Sequence, residues 1–195
     1  MIRIFGYFCK QNILNFNKIS LDKCLNELIP SEKPCPSCKT NYPNWKKHAT
    51  YFRYLIFLED TAKITEQITI TRYKCKSCKS THALIPDLII PYSSYSLGFV
   101  ILVIEEYFSK SLSVAEICTK YDISVSTLYC WKELFLKHKK IWLGLLDDRL
   151  ITAIQFLYAL FGENRCLNLI EFFQIAGISF LQSQFYRKTA YYSRV

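Results

Sequence analysis

No stretch of this chain is both long and apolar enough to suggest a membrane span. The longest uncharged run, Leu88–Ile104, is interrupted by Pro91 and by Tyr92-Ser93-Ser94-Tyr95-Ser96. Phe172–Tyr186 is too short and too polar to cross a bilayer. A secretory start is not expected either, because Arg3 and Lys10 break up the apolar opening and no small-residue cleavage site follows. A disulfide framework is equally unexpected. The nine cysteines are an odd number, and Cys9, Cys24, Cys118, Cys130 and Cys166 follow no regular spacing. That usage predicts a reducing, cytoplasmic setting. Acidic side chains are scarce, 16 against 25 Lys and Arg, for a net charge of +9. General disorder is excluded by a hydrophobic content of 51%.

The basic excess is concentrated. Cys35–His82 carries nine Lys or Arg against Glu59, Asp60 and Glu66, whereas Ala83–Gly144 is neutral. Such a patch predicts a polyanionic partner, most simply nucleic acid. The same segment holds two C-x-x-C turns, Cys35-Pro36-Ser37-Cys38 and Cys75-Lys76-Ser77-Cys78. Four thiolates from two such turns make a closed tetrahedral site for one structural Zn²⁺. Lys39, Lys74, Lys76 and Lys79 would offset the double negative charge of that centre. No βαβ pattern surrounds either motif, so a thioredoxin-like redox pair is not expected. His48 and His82 flank the site, but four cysteines already fill a tetrahedron. His138, among lysines, reads as a surface residue.

The stretch between the cysteine pairs is long and needs either an extended hairpin or an insertion before the hairpin. Thr40–Ala49 is polar and turn-rich. Tyr51–Leu58 reads as a strand buried on both faces, Glu59–Lys63 as a turn, and Thr65–Tyr73 as an alternating strand with Ile68 and Ile70 inward. Upstream, Met1–Phe8 predicts a short strand. Ile19–Ile29 predicts a helix capped by Ser20 or Asp22 and ended by Pro30. Downstream, His82–Tyr92 predicts an extended connector and Ser96–Phe108 an apolar helix. Ile151–Phe161 and Leu167–Phe180 predict two more helices, followed by a loose tail with Arg187, Lys188 and Arg194.

Ser113–Phe135 carries the second motif. Ser113 with Glu116 is a capping box for a helix over Val114–Lys120. Tyr121-Asp122-Ile123 makes a turn, and Ser124 caps a second helix running to about His138. This is the pattern of a helix-turn-helix. Ile117, Cys118, Tyr121, Ile123, Leu128 and Trp131 would form its core. Val125, Ser126, Tyr129 and Cys130 would face a DNA groove, with Glu133 on the same stripe. Lys132, Lys137, Lys139 and Lys140 would reach phosphates.

The run from Cys35 to Trp142 resembles an uncharacterised bacterial family that joins a zinc ribbon to a helix-turn-helix. The resemblance is carried by CPSC, YKCKSC, THALIPDLIIPYSSYSL and ISVSTLYCWKELFLKHKKIWL. The ribbon and the SxSTLYxW helix are also similar to the DNA-binding front end of insertion-sequence transposases. The resemblance implies DNA binding, linked to mobile elements. No catalytic carboxylate triad follows. Asp147, Asp148, Glu163 and Glu171 sit in too short a segment for an RNase H-like domain, and Asp147-Asp148 reads as a helix boundary.

These readings predict an α+β protein, a small zinc-ribbon hairpin module followed by a helical helix-turn-helix part. The expected segments are an N-terminal strand and helix (1–34), the ribbon (35–82), a connector (83–95), the helix-turn-helix (96–144) and C-terminal apolar helices with a tail (145–195). The expected function is sequence-specific binding of double-stranded DNA, as a regulator or accessory of a mobile element, without enzymatic activity. The C-terminal region is a candidate homodimer surface. A protein-interaction adaptor is the alternative, and a truncated transposase or nuclease ranks third.

Overall fold

The structure, a computed structural model, describes residues 2–4, 17–30, 33–144, 151–162 and 165–183. It is α+β, with strands preceding most of the helices. Its contacts divide the chain into two compact units, residues 1–89 with 94–99, and residues 90–93 with 100–195.

The first unit is built on a sheet ordered β1-β4-β3-β2. The strands are β1 (Ile2–Ile4), β2 (Trp45–Glu59), β3 (Ala62–Cys75) and β4 (Thr81–Pro86). β2, β3 and β4 are antiparallel neighbours, and β1 joins β4 in parallel. The expected hairpin is therefore present and longer than its apolar pattern implied. Its turn is two residues, Asp60 and Thr61, both at positive φ (47° and 73°), between the paired Glu59 and Ala62. Positive φ at both central positions is the hairpin geometry that matches strand twist.

β2 corrects the expectation of a strand buried on both faces. Leu55 and Phe57 are fully buried, but Phe52 is 67% exposed and Tyr54 59%. The reason is positional: β2 lies at the sheet edge, and only its inward alternate residues meet the core. Leu55, Phe57, Ile68 and Ile70 pack with Leu84, Ile85 and Leu88 and with α1 (Lys18–Glu27) through Leu21, Cys24 and Leu25. The α1 cap is Asn17, whose side chain accepts from the Ser20 N–H at 2.8 Å, in place of Ser20 or Asp22. The predicted connector is part of the sheet, as β4, and continues into buried Leu88–Ile90.

The second unit contains the rest of α2 (Leu97–Ser109), with α3 (Val114–Tyr121), α4 (Val125–Leu143), α5 (Ala153–Phe161) and α6 (Arg165–Ala176). The Ser113–Glu116 capping box forms. Asp122 ends α3 in the left-handed region (φ 47°), and the Ile123 N–H donates to the Cys118 carbonyl at 3.0 Å. Asp tolerates this conformation through its short polar side chain. Ser124 caps α4. Thr152 and Gln155 make a second capping box on α5, and Gly177 (φ 64°) stands just beyond α6. Asp147, Asp148, Glu163 and the tail residues Arg187, Lys188 and Arg194 lie outside the described residues.

His138 is not a surface residue. It is fully buried, with its ring 5.1 Å from Phe172 and 5.7 Å from Phe180. Its Nδ1 accepts from the Leu181 N–H at 2.9 Å, so a neutral ring carries its proton on Nε2. Lys137 and Lys140 remain exposed, whereas helical periodicity turns position 138 inward. Burial, reinforced by Lys137, holds its pKa down at about 4. The unfolded chain therefore takes up this proton first as pH falls. Stability should be full above about pH 6.5 and decline progressively towards pH 4, by on the order of 3 kcal/mol. Thermal melts of wild type and His138→Gln across that range check this, and an unchanged pH slope in the variant would refute it.

Candidate metal centre

The two C-x-x-C turns have the same backbone. In the first, the Cys35 N–H donates to Thr40 O (3.1 Å) and the Lys39 N–H to Cys35 O (2.9 Å). In the second, the Cys75 N–H donates to Ser80 O (2.9 Å) and the Lys79 N–H to Cys75 O (3.0 Å). Lys39 and Lys79 both adopt positive φ (59° and 64°). The signal for this equivalence is in the sequence as C-x-Ser-Cys-Lys-(Thr/Ser), six residues long rather than four. Strand pairing then closes the site: Trp45 pairs with Cys75, which anchors the second knuckle beside the chain leaving the first.

The four sulfurs converge. The Sγ atoms of Cys35, Cys38, Cys75 and Cys78 all lie within 4.8 Å of one another. Cys35 Sγ is 3.7 Å from Cys78 Sγ, and Cys38 Sγ is 3.8 Å from Cys75 Sγ. A regular tetrahedron with metal–sulfur bonds of about 2.3 Å has an S···S edge of about 3.8 Å. The donor set and its dimensions therefore fit one metal ion, held by four protein ligands.

The thiols are electrostatically unequal. Burial pushes Cys35 up to about 11. Cys38 is held down at about 6 because the Thr40 hydroxyl and N–H donate to its sulfur, with Thr40 Oγ1 3.2 Å away. Ser80 lowers Cys78 in the same way. The hydroxyl closing each knuckle thus favours the thiolate that a metal requires.

His82 belongs to this centre, as spacing alone did not reveal. β3–β4 pairing sets it opposite Tyr73. It is 5% exposed, its ring meets Trp45 edge-on at 5.7 Å, and its Nε2 is 3.6 Å from Cys35 Sγ. Burial lowers its pKa to about 4, which favours the neutral ring, and its Nε2 is within reach to donate an N–H to Cys35 Sγ. His48 is instead exposed at the register shift in β2 and is outside the cluster.

The residues expected to meet DNA fall into two groups. Val125, Ser126, Tyr129 and Cys130 are exposed at the N-terminal half of α4, while Ile117, Tyr121, Ile123, Leu128 and Trp131 are buried. Cys118 is half-buried rather than core. Lys137 and Lys140 are exposed. Lys132 is partly covered, 3.4 Å from Glu133 and over the rings of Tyr107 and Tyr129. Lys139 is only 4% exposed, and its ammonium donates to the Ile151 carbonyl. It therefore stands apart from the exposed lysines, because its stem lies on the inward side of α4 beside His138.

Residues 35–131 match the family described as Domain of unknown function (DUF6431). The matched span begins at the first knuckle and ends inside α4. No curated protein and no solved structure matches the chain. Among the described residues, no helix is long and apolar enough to cross a membrane.

Proposed function

We propose that this is a zinc-stabilised, sequence-specific DNA-binding protein, acting in the cytoplasm as a regulator or accessory of a mobile element rather than as an enzyme. In this reading the knuckled hairpin is a zinc ribbon with one structural Zn²⁺, and α3–turn–α4 is a helix-turn-helix that places α4 in the major groove. The observation that carries it is the division of α4: its first two turns expose Val125, Ser126 and Tyr129, while Leu128 and Trp131 hold the opposite side in the core. Recognition helices contact base edges with their N-terminal residues. A side chain of Val meets a thymine methyl, and Ser and Tyr hydroxyls meet base edges or phosphates.

Binding of variants to a selected duplex and to random duplex, at two salt concentrations, tests this. Ser126→Ala or Tyr129→Ala should cost about 1–3 kcal/mol on the selected site and much less on random DNA. Lys137→Ala or Lys140→Ala should weaken binding to both and reduce the salt slope by about one unit. Lys139→Ala should leave the salt slope unchanged, because its ammonium is engaged inside the fold. If neither group of variants changes binding, α4 does not touch DNA.

A second reading, a protein-interaction adaptor or homodimer, is favoured by a different observation. Tyr158 on α5 and Leu167 and Ile175 on α6 are 64%, 65% and 56% exposed. Charged substitutions there should abolish a partner contact while leaving DNA binding by α4 intact.

A further inference from the structure

We propose that the first unit holds an unpaired nucleotide of a single nucleic-acid strand, in the cavity between the end of α1 and the two knuckles. This rests on the reading of the chain as a nucleic-acid binder but uses none of the residues assigned to α4. The cavity has a volume of about 410 Å³, room for one base with its sugar and phosphate. Three of its walls are aromatic, Tyr42, Trp45 and Tyr73, over the apolar corner Ile29-Pro30. Asn44 and Lys76 complete the lining, which among the described residues contains no acidic side chain.

The rings are held ready. Trp45 Nε1 donates to Lys33 O at 3.2 Å, and Tyr73 Oη donates to Leu28 O at 3.2 Å. Tyr42 is the free wall, 74% exposed on a loop where both it and Asn44 have positive φ (52° and 47°). Backbone strain of this kind persists only where the surroundings enforce it. Here the Lys76 N–H donates to Pro43 O at 3.3 Å, tying the loop to the second knuckle.

Each lining group matches a part of a nucleotide. Aromatic rings stack on any base, because every base has a π-face. The Asn44 carboxamide offers a donor and an acceptor to a base edge, and the Lys76 ammonium offers a charge to the phosphate. The surrounding segment supplies the field: Lys46 and Lys74 adjoin Trp45 and Tyr73 in sequence, and Lys47 follows Lys46, and counterion release makes such charges effective along a strand. A base paired in duplex has its faces covered by its neighbours and cannot enter, so the site selects unpaired strands.

The test uses the full chain, with its metal, and fluorescence anisotropy of labelled oligo-dT, oligo-U and a duplex of equal length, with thymidine monophosphate as competitor. Tyr42 and Lys76 are both exposed, so Tyr42→Ala and Lys76→Ala spare the core. Each should weaken single-strand binding by about tenfold and leave duplex affinity within about twofold. Lys76→Ala should also lower the single-strand salt slope by about 0.7, whereas Tyr42→Ala should leave it unchanged. Greater sensitivity to Tyr42→Ala in the oligo-dT or the oligo-U arm identifies the strand as DNA or RNA. Single strands that fail to bind, variants that bind them like wild type, equal losses on strand and duplex, or binding of the monophosphate without the strands would each overturn the proposal. If single strands bind through Tyr42 while no duplex binds, the α4 reading fails and this one stands.

Discussion

Replacing Cys35 with Ser should strip the metal from the purified protein and melt the knuckle end of the first unit. The expected effect is the largest of any substitution in the chain. Binding of structural zinc by small modules is worth on the order of 10–16 kcal/mol, and that energy is available only to the folded site. Cys35 is the most demanding ligand: it is fully buried, it touches the cluster and His82, and its thiol is pushed up to about 11. Without a cation, the thiol stays protonated and the convergence of four sulfurs at 3.7–3.8 Å has no attractive partner. The sheet core around Leu21, Leu55, Phe57 and Ile70 contains none of the four cysteines. Loss of order should therefore begin at Cys35–Thr40, Cys75–Ser80 and the paired Trp45, and spread towards the Asp60-Thr61 turn only later. Elemental analysis should find one zinc per chain in wild type and none in the variant, and hydrogen exchange should show the gradient along the hairpin. Because thiols must lose protons to bind, metal affinity should fall as pH falls. A preparation that is folded, metal-free and equally protected at both knuckles would remove the idea.

What was legible in the sequence tracks how local its cause is. The Ser113–Glu116 box, Asp122 and Ser124 define α3 and α4 because capping is a matter of three or four consecutive residues. The alternation at Ile68 and Ile70 marks the inner face of β3, and it is observed. The cysteine pairs announce their own convergence. Burial set by remote packing was harder to read. His138 and Lys139 lie in a run of basic residues, and it is α6, the segment through Phe180 and Leu181, and the Ile151 carbonyl that turn that part of α4 into an interior surface. Phe52 and Tyr54 look like core by composition but sit on an edge strand with no layer over them. His82 joins the metal centre through strand register, a relation between β3 and β4 that no motif spacing encodes. His82→Ala should accordingly leave zinc content unchanged and accelerate metal loss to a chelator, since partners of metal ligands typically contribute 10–100-fold in affinity.

Phe135→Ala should destabilise the second unit by about 3–5 kcal/mol, the usual cost of removing a fully buried aromatic side chain. Phe135 is fully buried and is the point where three helices and the segment after α6 meet. Its ring lies 5.4 Å from Phe108 of α2, 5.7 Å from Phe156 of α5 and 6.2 Å from Phe180, beyond α6. The neighbours are themselves rigid rings, Phe180 being also in contact with Phe172 and His138. They cannot collapse into the space left behind, so the cavity term should be near the upper end. The same helix carries Tyr129, 41% exposed, whose truncation removes little packing. The two substitutions therefore separate folding from recognition. Phe135→Ala should lower the melting temperature and, in the fraction that remains folded at low temperature, keep the selectivity between chosen and random duplexes. Tyr129→Ala should keep the melting temperature and lose selectivity. Differential scanning calorimetry with binding isotherms below the melting range resolves the two. A Phe135→Ala protein that melts within about 1 kcal/mol of wild type would mean that α4 is not docked on α5 and the Phe180 segment in solution. The exposed side of α4 would then have no fixed orientation from which to read a groove.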